Sequence, residues 1–258
     1  MRIGSRSKLQ TISEKAHSVA RGVGRLMPVR AKRYFFRLRP AAVTWDLSDH
    51  GIVFVQIPKV ATTSMRAALA AFVAGAQEVD PAEVEARDAF VGERYELNAY
   101  PAEIRRLGRE RLTFAFVRNP LERLYSAYVN KVEDPVTDAD VHLFDRHGIS
   151  QGTSWPDFIR SVTSISDDRC DLHLRSQHHF ITDRAGFVVE FIGRFERLDD
   201  DWTVLMDRFG LPALPKRNVS SHVPYTQAYT PELARVVADR YRRDIELLGY
   251  ADEVRALT

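Results

Sequence analysis

Hydrophobic positions along the chain fall into short continuous runs and longer runs with helical spacing. Residues 52–57 and 112–117 are nearly continuous β-branched and aromatic runs, typical of strands buried on both faces of a parallel sheet. Each run ends at a polar loop, and apolar residues spaced along one helical face follow, from Ser64 and from Pro120. The pattern therefore predicts two strand–loop–helix units.

The second half of the chain continues the alternation of strands and helices. A third strand is predicted over residues 187–195, a helix over 198–209, and a long C-terminal helix over 230–248. This order indicates an α/β fold of three layers, with a central parallel sheet flanked by helices. Ligands of such folds bind beyond the carboxyl ends of the strands, where both polar loops lie.

Charge divides the chain into two parts. Residues 1–40 hold eleven Lys or Arg residues and one acid, whereas the rest of the chain has a net charge of −8. We therefore predict a basic N-terminal arm, residues 1–40, and one domain, residues 41–258. The arm could attach to anionic lipid or to a polyanionic acceptor, or be a solvated tail, and both interpretations stay open. The negative domain argues against a nucleic acid as partner.

Cysteine content and hydropathy give an expectation for location. Cys170 is the single cysteine, so neither an internal disulfide nor a cysteine-based zinc site is expected, and its thiol is predicted to be buried. No run approaches 18 apolar residues, and the N-terminus has no apolar segment of signal type. We therefore expect a cytoplasmic protein, peripheral at the inner face of the membrane if the arm binds lipid. The oligomeric state is not predictable.

The first polar loop, residues 58–64, has the composition of an oxyanion site. Lys59 stands beside a helix N-terminus that also carries hydroxyl side chains, where amides and the helix dipole favour anions. A Walker loop differs, because its lysine follows the loop and its glycines are absent here. This difference disfavours an ordinary kinase or ATPase. The alternative without a ligand is a capped helix with Lys59 in solvent.

The second polar segment places Arg118 at a strand end and Ser126 two helical turns later. A guanidinium fork and a hydroxyl could converge there on one phosphate. Arg123 would assist them or pair with Glu122. The alternative is that Arg118 forms a structural ion pair and that Ser126 bonds to its own helical turn.

Together these segments, IPKVATTS at 57–64 and FVRNPLERLYS at 116–126, resemble the sulfotransferases that use 3′-phosphoadenylyl sulfate (PAPS), particularly the carbohydrate type. Residues 192–202 and 241–250 extend the resemblance to about residues 51–250. The resemblance implies a P-loop-like sulfotransferase fold with PAPS as sulfuryl donor and no metal. Arg118 and Ser126 would bind the donor's 3′-phosphate. The residues that would bind its 5′-phosphosulfate are Lys59, Val60, Ala61, Thr62, Thr63 and Ser64.

The resemblance also suggests catalytic residues. Lys59 would stabilise the bridging oxygen, and a histidine or glutamate would be the general base. His173 and Gln177 match a His-x-x-x-Gln element and are expected to face the active cleft at helical spacing. His178 is a second candidate base. A metal held by His173, His178 and His179 fits no compact motif, and histidines at the core edge remain an alternative.

The donor's adenosine and the acceptor leave weaker signals. Arg217 and Asn218, in a late basic loop, are predicted to close over the adenosine. Acceptor contacts are expected from variable loops such as residues 133–155, which carry no readable code. The acceptor would be a hydroxyl of a glycan, a lipid-linked sugar or a small hydroxylated molecule.

Two other functions remain open. A P-loop-like phosphotransferase would share the architecture, although the chain lacks a glycine-rich loop and an evident magnesium aspartate after a strand. A noncatalytic anion-binding module would use the basic arm, but it explains only residues 1–40. The sequence therefore favours sulfuryl transfer.

Overall fold

The fold is seen in a computed structural model that describes residues 42–80, 83–135, 137–215 and 223–258. The basic arm, residues 1–40, and the predicted adenosine contacts Arg217 and Asn218 lie outside the described residues. The division of the chain at residue 41 therefore stays a prediction.

A mixed sheet forms the centre of the fold. The strands in the described residues are β1 (Ala42–Leu47), β2 (Ile52–Gln56), β3 (Glu96–Ala99), β4 (Leu112–Val117), β5 (Thr182–Asp183), β6 (Gly186–Phe187) and β7 (Phe191–Arg194). The central sheet has the order β3-β1-β2-β4-β7, while β5 and β6 form a separate hairpin. Strands β2, β4 and β7 are parallel, and β1 is antiparallel to both of its neighbours. The predicted α/β class is confirmed, and the antiparallel edge is an addition.

Helices flank this sheet. Those in the described residues are α1 (Thr62–Val73), α2 (Val84–Tyr95), α3 (Pro101–Leu107), α4 (Pro120–Tyr128), α5 (Asp138–Val141), α6 (Trp155–Thr163), α7 (His178–Ile181), α8 (Leu198–Phe209), α9 (Tyr225–Ala228), α10 (Pro231–Arg240), α11 (Arg242–Leu248) and α12 (Ala251–Arg255). A π-helical turn, Val129–Glu133, continues α4. Every residue of β2 and β4 is buried, as expected for strands covered on both faces.

Two predicted elements are interrupted. The strand predicted over residues 187–195 is divided, because Phe187 pairs with Thr182 in the hairpin before the chain joins β4 at Phe191. The helix predicted over 230–248 is broken at Tyr241, which lies between α10 and α11. Its hydroxyl donates to the carbonyl of Leu174 at 2.6 Å, so the break anchors the C-terminal helices to the segment before α7.

An aromatic cluster fixes the parallel strands against α8. The rings of Phe54 on β2 and Phe114 on β4 stack with centroids 4.9 Å apart. Trp202 on α8 contacts Phe114 and Phe116 at centroid distances of 6.2 and 6.1 Å. Trp202 is buried, and so is Cys170, as the sequence predicts for its thiol. The rigid centre holds the carboxyl ends of β2 and β4 side by side, and both polar segments begin there.

Candidate functional site

The loop between β2 and α1 has an unusual backbone. Lys59 and Ala61 have φ angles of 73° and 65°, in the left-handed region that residues with a side chain rarely adopt. The hydroxyl of Thr62 donates to the carbonyl of Ile57 at 2.6 Å and closes the loop across its base. The loop thereby turns tightly without any glycine.

The same loop exposes the beginning of α1. The amides of Ser64 and Met65 bond to the carbonyl of Ala61, whereas those of Thr62 and Thr63 have no acceptor within the helix. Free amides and the positive end of the helix dipole are therefore available to an anion. Thr63 is exposed, and Thr62 and Ser64 are half-buried.

Val60 differs from the other predicted loop contacts. Its side chain is buried in the core, with 0% exposed. Only its backbone can therefore reach a bound donor, and its isopropyl group anchors the loop.

Lys59 is not the solvent-exposed lysine of the alternative interpretation. It is half-buried, and its Nζ donates to Oδ1 of Asn130 on the π-helical turn at 2.9 Å. Burial, with the nearby cations Lys131 and Arg118, lowers the pKa of Lys59 to about 8. Lys131 itself pairs with Asp140 at 2.5 Å. Among the described residues no carboxylate pairs with Lys59, so a bound anion would stabilise its charge.

Arg118 contacts the first loop. Its guanidinium donates to the carbonyl of Lys59 at 3.2 Å and to the carboxylate of Glu122 at 2.8 Å. It also lies 3.8 Å above the ring of Phe195, and its buried Nε has no partner within the described part of the chain. The ion pair that the sequence offered as an alternative is thus present, but it does not use all the donors of the guanidinium.

Ser126 lies half-buried on α4, and within the described residues the structure shows no hydrogen bond between it and Arg118. Asn119 starts this helix, because its side chain accepts the amide of Leu121 at 3.0 Å. The common position of Arg118 and Ser126 at a phosphate therefore stays a prediction.

Arg123 has a role that the sequence did not reveal. It does not pair with Glu122, which bonds to Arg118 instead. Its guanidinium is buried, and it donates to three backbone carbonyls, at 2.9, 2.8 and 3.1 Å. These acceptors belong to Pro58, Arg175 and Leu172. Arg123 therefore binds the loop after β2 to the segment that carries His173.

Gln177 does not face a cleft from a helix, as the sequence suggested. Residues 171–176 form turns, and α7 begins only at His178. Gln177 has 0% of its surface exposed, and both ends of its amide bond to the backbone of Arg118. Oε1 accepts from the Arg118 amide at 3.0 Å, and Nε2 donates to its carbonyl at 2.8 Å.

The three neighbouring histidines bind three different carboxylates. These pairs are His173–Asp171 at 2.7 Å, His178–Asp244 at 2.7 Å and His179–Asp167 at 3.3 Å. No group of three or more His, Cys, Asp or Glu side chains in the described ranges could hold a metal ion. The side chain of His173 is 27% exposed, whereas that of His178 is 8% exposed. His173 is thus the more accessible of the two candidate bases.

Glu196 organises the site, since it accepts the Asn119 amide at 2.6 Å and the Tyr250 hydroxyl at 3.0 Å. Sequence reasoning missed the parts that other residues play in building the site. Arg123 lies in the segment 116–126 and Asp244 in the segment 241–250, and both segments carry the family resemblance. Their position in these segments was the signal that could have identified them. No local pattern identifies Asn130 as the partner of Lys59.

Comparison with known proteins identifies a family that this chain matches. A model of the sulfotransferase family matches residues 44–251. Carbohydrate sulfotransferase 14 of Danio rerio is 24% identical over 225 residues, which are 78% of this chain and 60% of that protein. Carbohydrate sulfotransferase 11 of Rattus norvegicus is 36% identical over 85 residues, covering 32% of this chain and 24% of the relative.

The human carbohydrate sulfotransferase 14 is 30% identical over 111 residues, which cover 39% of this chain and 29% of that protein. The chain thus spans 60% of the Danio rerio relative and less than a third of each of the other two. No solved structure gives a significant match.

These relatives overturn the expectation of a cytoplasmic location. Carbohydrate sulfotransferases are typically membrane enzymes of the Golgi, so the likeness argues against the address inferred from hydropathy. Within the described ranges, no helix is long and apolar enough to cross a membrane.

Replacing Arg123 tests its role in holding the site together. Arg123→Met leaves three buried carbonyls without their donor, so the free energy of unfolding should fall by about 3 kcal/mol or more. Denaturant titration measures the change. Arg106→Met on α3 is the control, since that side chain is 70% exposed, and it should change stability far less. Equal effects of the two substitutions would contradict the role of Arg123.

The lowered pKa of Lys59 predicts unusual reactivity. Only the neutral amine is acetylated, so acetylation of Lys59 should have its midpoint near pH 8, against 10.5 for an ordinary lysine. Peptide mass spectrometry after brief treatment with acetic anhydride measures the midpoint, and a lysine peptide is the reference. Below pH 8 the side chain of Lys59 is mainly the charged ammonium, which is the form that attracts an anion.

Two neighbours should move this midpoint in opposite directions. Lys131→Met removes a charge that lowers the pKa of Lys59, so the midpoint should rise. Asp140→Asn removes a charge that raises the pKa, so the midpoint should fall. A midpoint that matches the reference peptide, or shifts of the same sign in both variants, would refute this description.

Proposed function

The chain belongs to the sulfotransferase family, and we propose that it transfers a sulfuryl group from PAPS to a hydroxyl of a carbohydrate. The names of the relatives, which are carbohydrate sulfotransferases, support a carbohydrate as acceptor. Of the acceptors that the sequence left open, a glycan and a lipid-linked sugar meet this description.

One observation supports the proposal most strongly, namely that two cationic segments distant in sequence contact each other. Arg118 donates to the carbonyl of Lys59, and Arg123 donates to that of Pro58. The two segments thus bring together a lysine without a carboxylate partner among the described residues, the first amides of α1 and the guanidinium of Arg118. PAPS has anionic groups at both ends, so two linked cationic segments suit it.

The proposed transfer breaks the bond between sulfur and the bridging oxygen while the acceptor oxygen bonds to sulfur. Lys59 would stabilise the charge that develops on the bridging oxygen, which leaves as part of 3′-phosphoadenosine 5′-phosphate. Amides and hydroxyls of Thr62, Thr63 and Ser64 would hold the other sulfuryl oxygens and align the group. The Val60 and Ala61 amides would line the same loop. No step requires a metal.

At the other end of the donor, Arg118 and Ser126 would bind the 3′-phosphate. Arg118 already lies beside the first loop, and its Nε is free within the described part of the chain. Arg217 and Asn218, outside the described residues, would contact the adenosine.

His173 is the proposed general base. Its Nδ1 bonds to Asp171 at 2.7 Å, which leaves Nε2 to accept the proton of the acceptor hydroxyl. Burial acts to raise the pKa of Asp171, but its hydrogen bonds and charge interactions with His173 and Arg146 together lower it. Arg123 binds the carbonyl of Leu172, next to His173, so the base belongs to the network that holds Lys59.

Calorimetry tests the identity of the donor. The protein should bind 3′-phosphoadenosine 5′-phosphate at least about tenfold more tightly than ATP with magnesium, because only the former has a 3′-phosphate for Arg118 and Ser126. Tighter binding of ATP would favour a phosphotransferase. Binding of the 3′-phosphorylated nucleotide without transfer from radiolabelled PAPS to any carbohydrate of a varied panel would favour a noncatalytic module.

Two variants assign the ends of the donor within the same experiment. Lys59→Ala should abolish transfer while much of the nucleotide affinity remains, since Lys59 acts on developing charge. Ser126→Ala should mainly weaken nucleotide binding. Equal loss of both properties in both variants would contradict this division of roles.

Substitution of the histidines tests the base. His173→Gln should lower the rate of transfer by about 100-fold or more while nucleotide affinity is unchanged. Thermal unfolding shows whether each variant is intact. If intact His178→Gln loses more activity than intact His173→Gln, the assignment to His173 is wrong.

A further inference from the structure

Asp244 is a carboxylate buried far from either loop in the sequence. It lies on α11 with 0% of its surface exposed. Oδ2 accepts the amide of Gln177 at 2.6 Å. Oδ1 accepts the amide of His178 at 2.9 Å and bonds to its Nδ1 at 2.7 Å. A buried carboxylate with this many donors fixes the beginning of α7 in one position.

The residue that Asp244 fixes is the one that holds Arg118. Strand β4 ends at Val117, and Gln177 receives the next peptide groups as a neighbouring strand would. Its side-chain amide both accepts from the Arg118 amide and donates to the Arg118 carbonyl. The direction in which Arg118 leaves the sheet therefore depends on where Gln177 stands.

The contacts of the Arg118 side chain depend on the direction in which its backbone leaves the sheet. Its guanidinium is placed between Phe195, the carbonyl of Lys59 and the carboxylate of Glu122. A small rotation of its backbone would move the planar fork away from all three. Since bidentate recognition of phosphate depends on the orientation of that fork, the orientation sets how well a phosphate is bound.

We propose that Asp244 is a positioning residue for the donor, which acts through Gln177 to aim Arg118 at the 3′-phosphate. This inference rests on the proposed function. In this proposal His178 is structural and His173 is the general base, because the Nδ1 of His178 bonds to Asp244. A carboxylate is required at position 244, since both of its oxygens accept, whereas an amide offers only one acceptor.

The test compares two nucleotides that differ only in the 3′-phosphate. Affinities of the full chain for 3′-phosphoadenosine 5′-phosphate and for adenosine 5′-phosphate are measured by calorimetry, and their ratio reports the recognition of that phosphate. Asp244→Asn should lower the ratio by about tenfold or more, the size of one lost charge-assisted hydrogen bond. Affinity for adenosine 5′-phosphate should change little.

Asp167→Asn is the matched control. Asp167 also accepts several hydrogen bonds in the same region, from Ser176 and Arg240, but it has none with Gln177 or Arg118. This variant should lower stability and keep the ratio of the wild type. A merely structural role of Asp244 would make the two variants alike.

Gln177→Met provides a second route to the same result. It removes both bonds to Arg118 and should lower the ratio as Asp244→Asn does, and combining the two should add little. If Asp244→Asn does not fold, the ratio of the two nucleotide affinities measured for Gln177→Met decides whether the positioning role stands. An unchanged ratio in the folded variants would overturn the positioning role. A wild type without preference for the 3′-phosphate would instead overturn the proposed function itself.

Discussion

The buried guanidinium of Arg123 is the interaction on which the site depends. A cation removed from water is tolerated only when its donors are satisfied, and here backbone carbonyls satisfy them. The carbonyls belong to the loop after β2 and to the segment before α7, and Arg123 itself lies on α4. One side chain thus connects the lysine loop, the helix of the second segment and the histidine segment.

Charge in this unit is distributed unevenly. Glu122 neutralises Arg118, and Asp140 neutralises Lys131, but Lys59 has only a neutral amide as its partner within the described residues. Its ammonium therefore lies among other cations, and a bound anion would relieve their repulsion. An excess of positive charge therefore remains where β2 ends. The negative charge of a sulfated phosphate would balance it.

The sequence predicted what local pattern encodes. Continuous apolar runs identified β2 and β4, and the polar loops after them were recognised by composition, because burial on both faces and helix starts leave local signals. The roles of Gln177 and Arg123 were not predictable, since each bonds to backbone groups distant in sequence. Location was predicted from the absence of an apolar segment, and the relatives contradict it. The predicted meeting of Arg118 and Ser126 depends on a ligand that would bridge them.

The left-handed backbone at Lys59 and Ala61 has a consequence for how an anion is received. A phosphate loop rich in glycine has many conformations and loses that freedom when its ligand orders it. Residues with side chains have fewer conformations available, so most of this ordering is completed when the protein folds. We therefore expect the loop to be ordered before an anion binds. The conformational entropy that a glycine loop would lose on binding is lost here on folding.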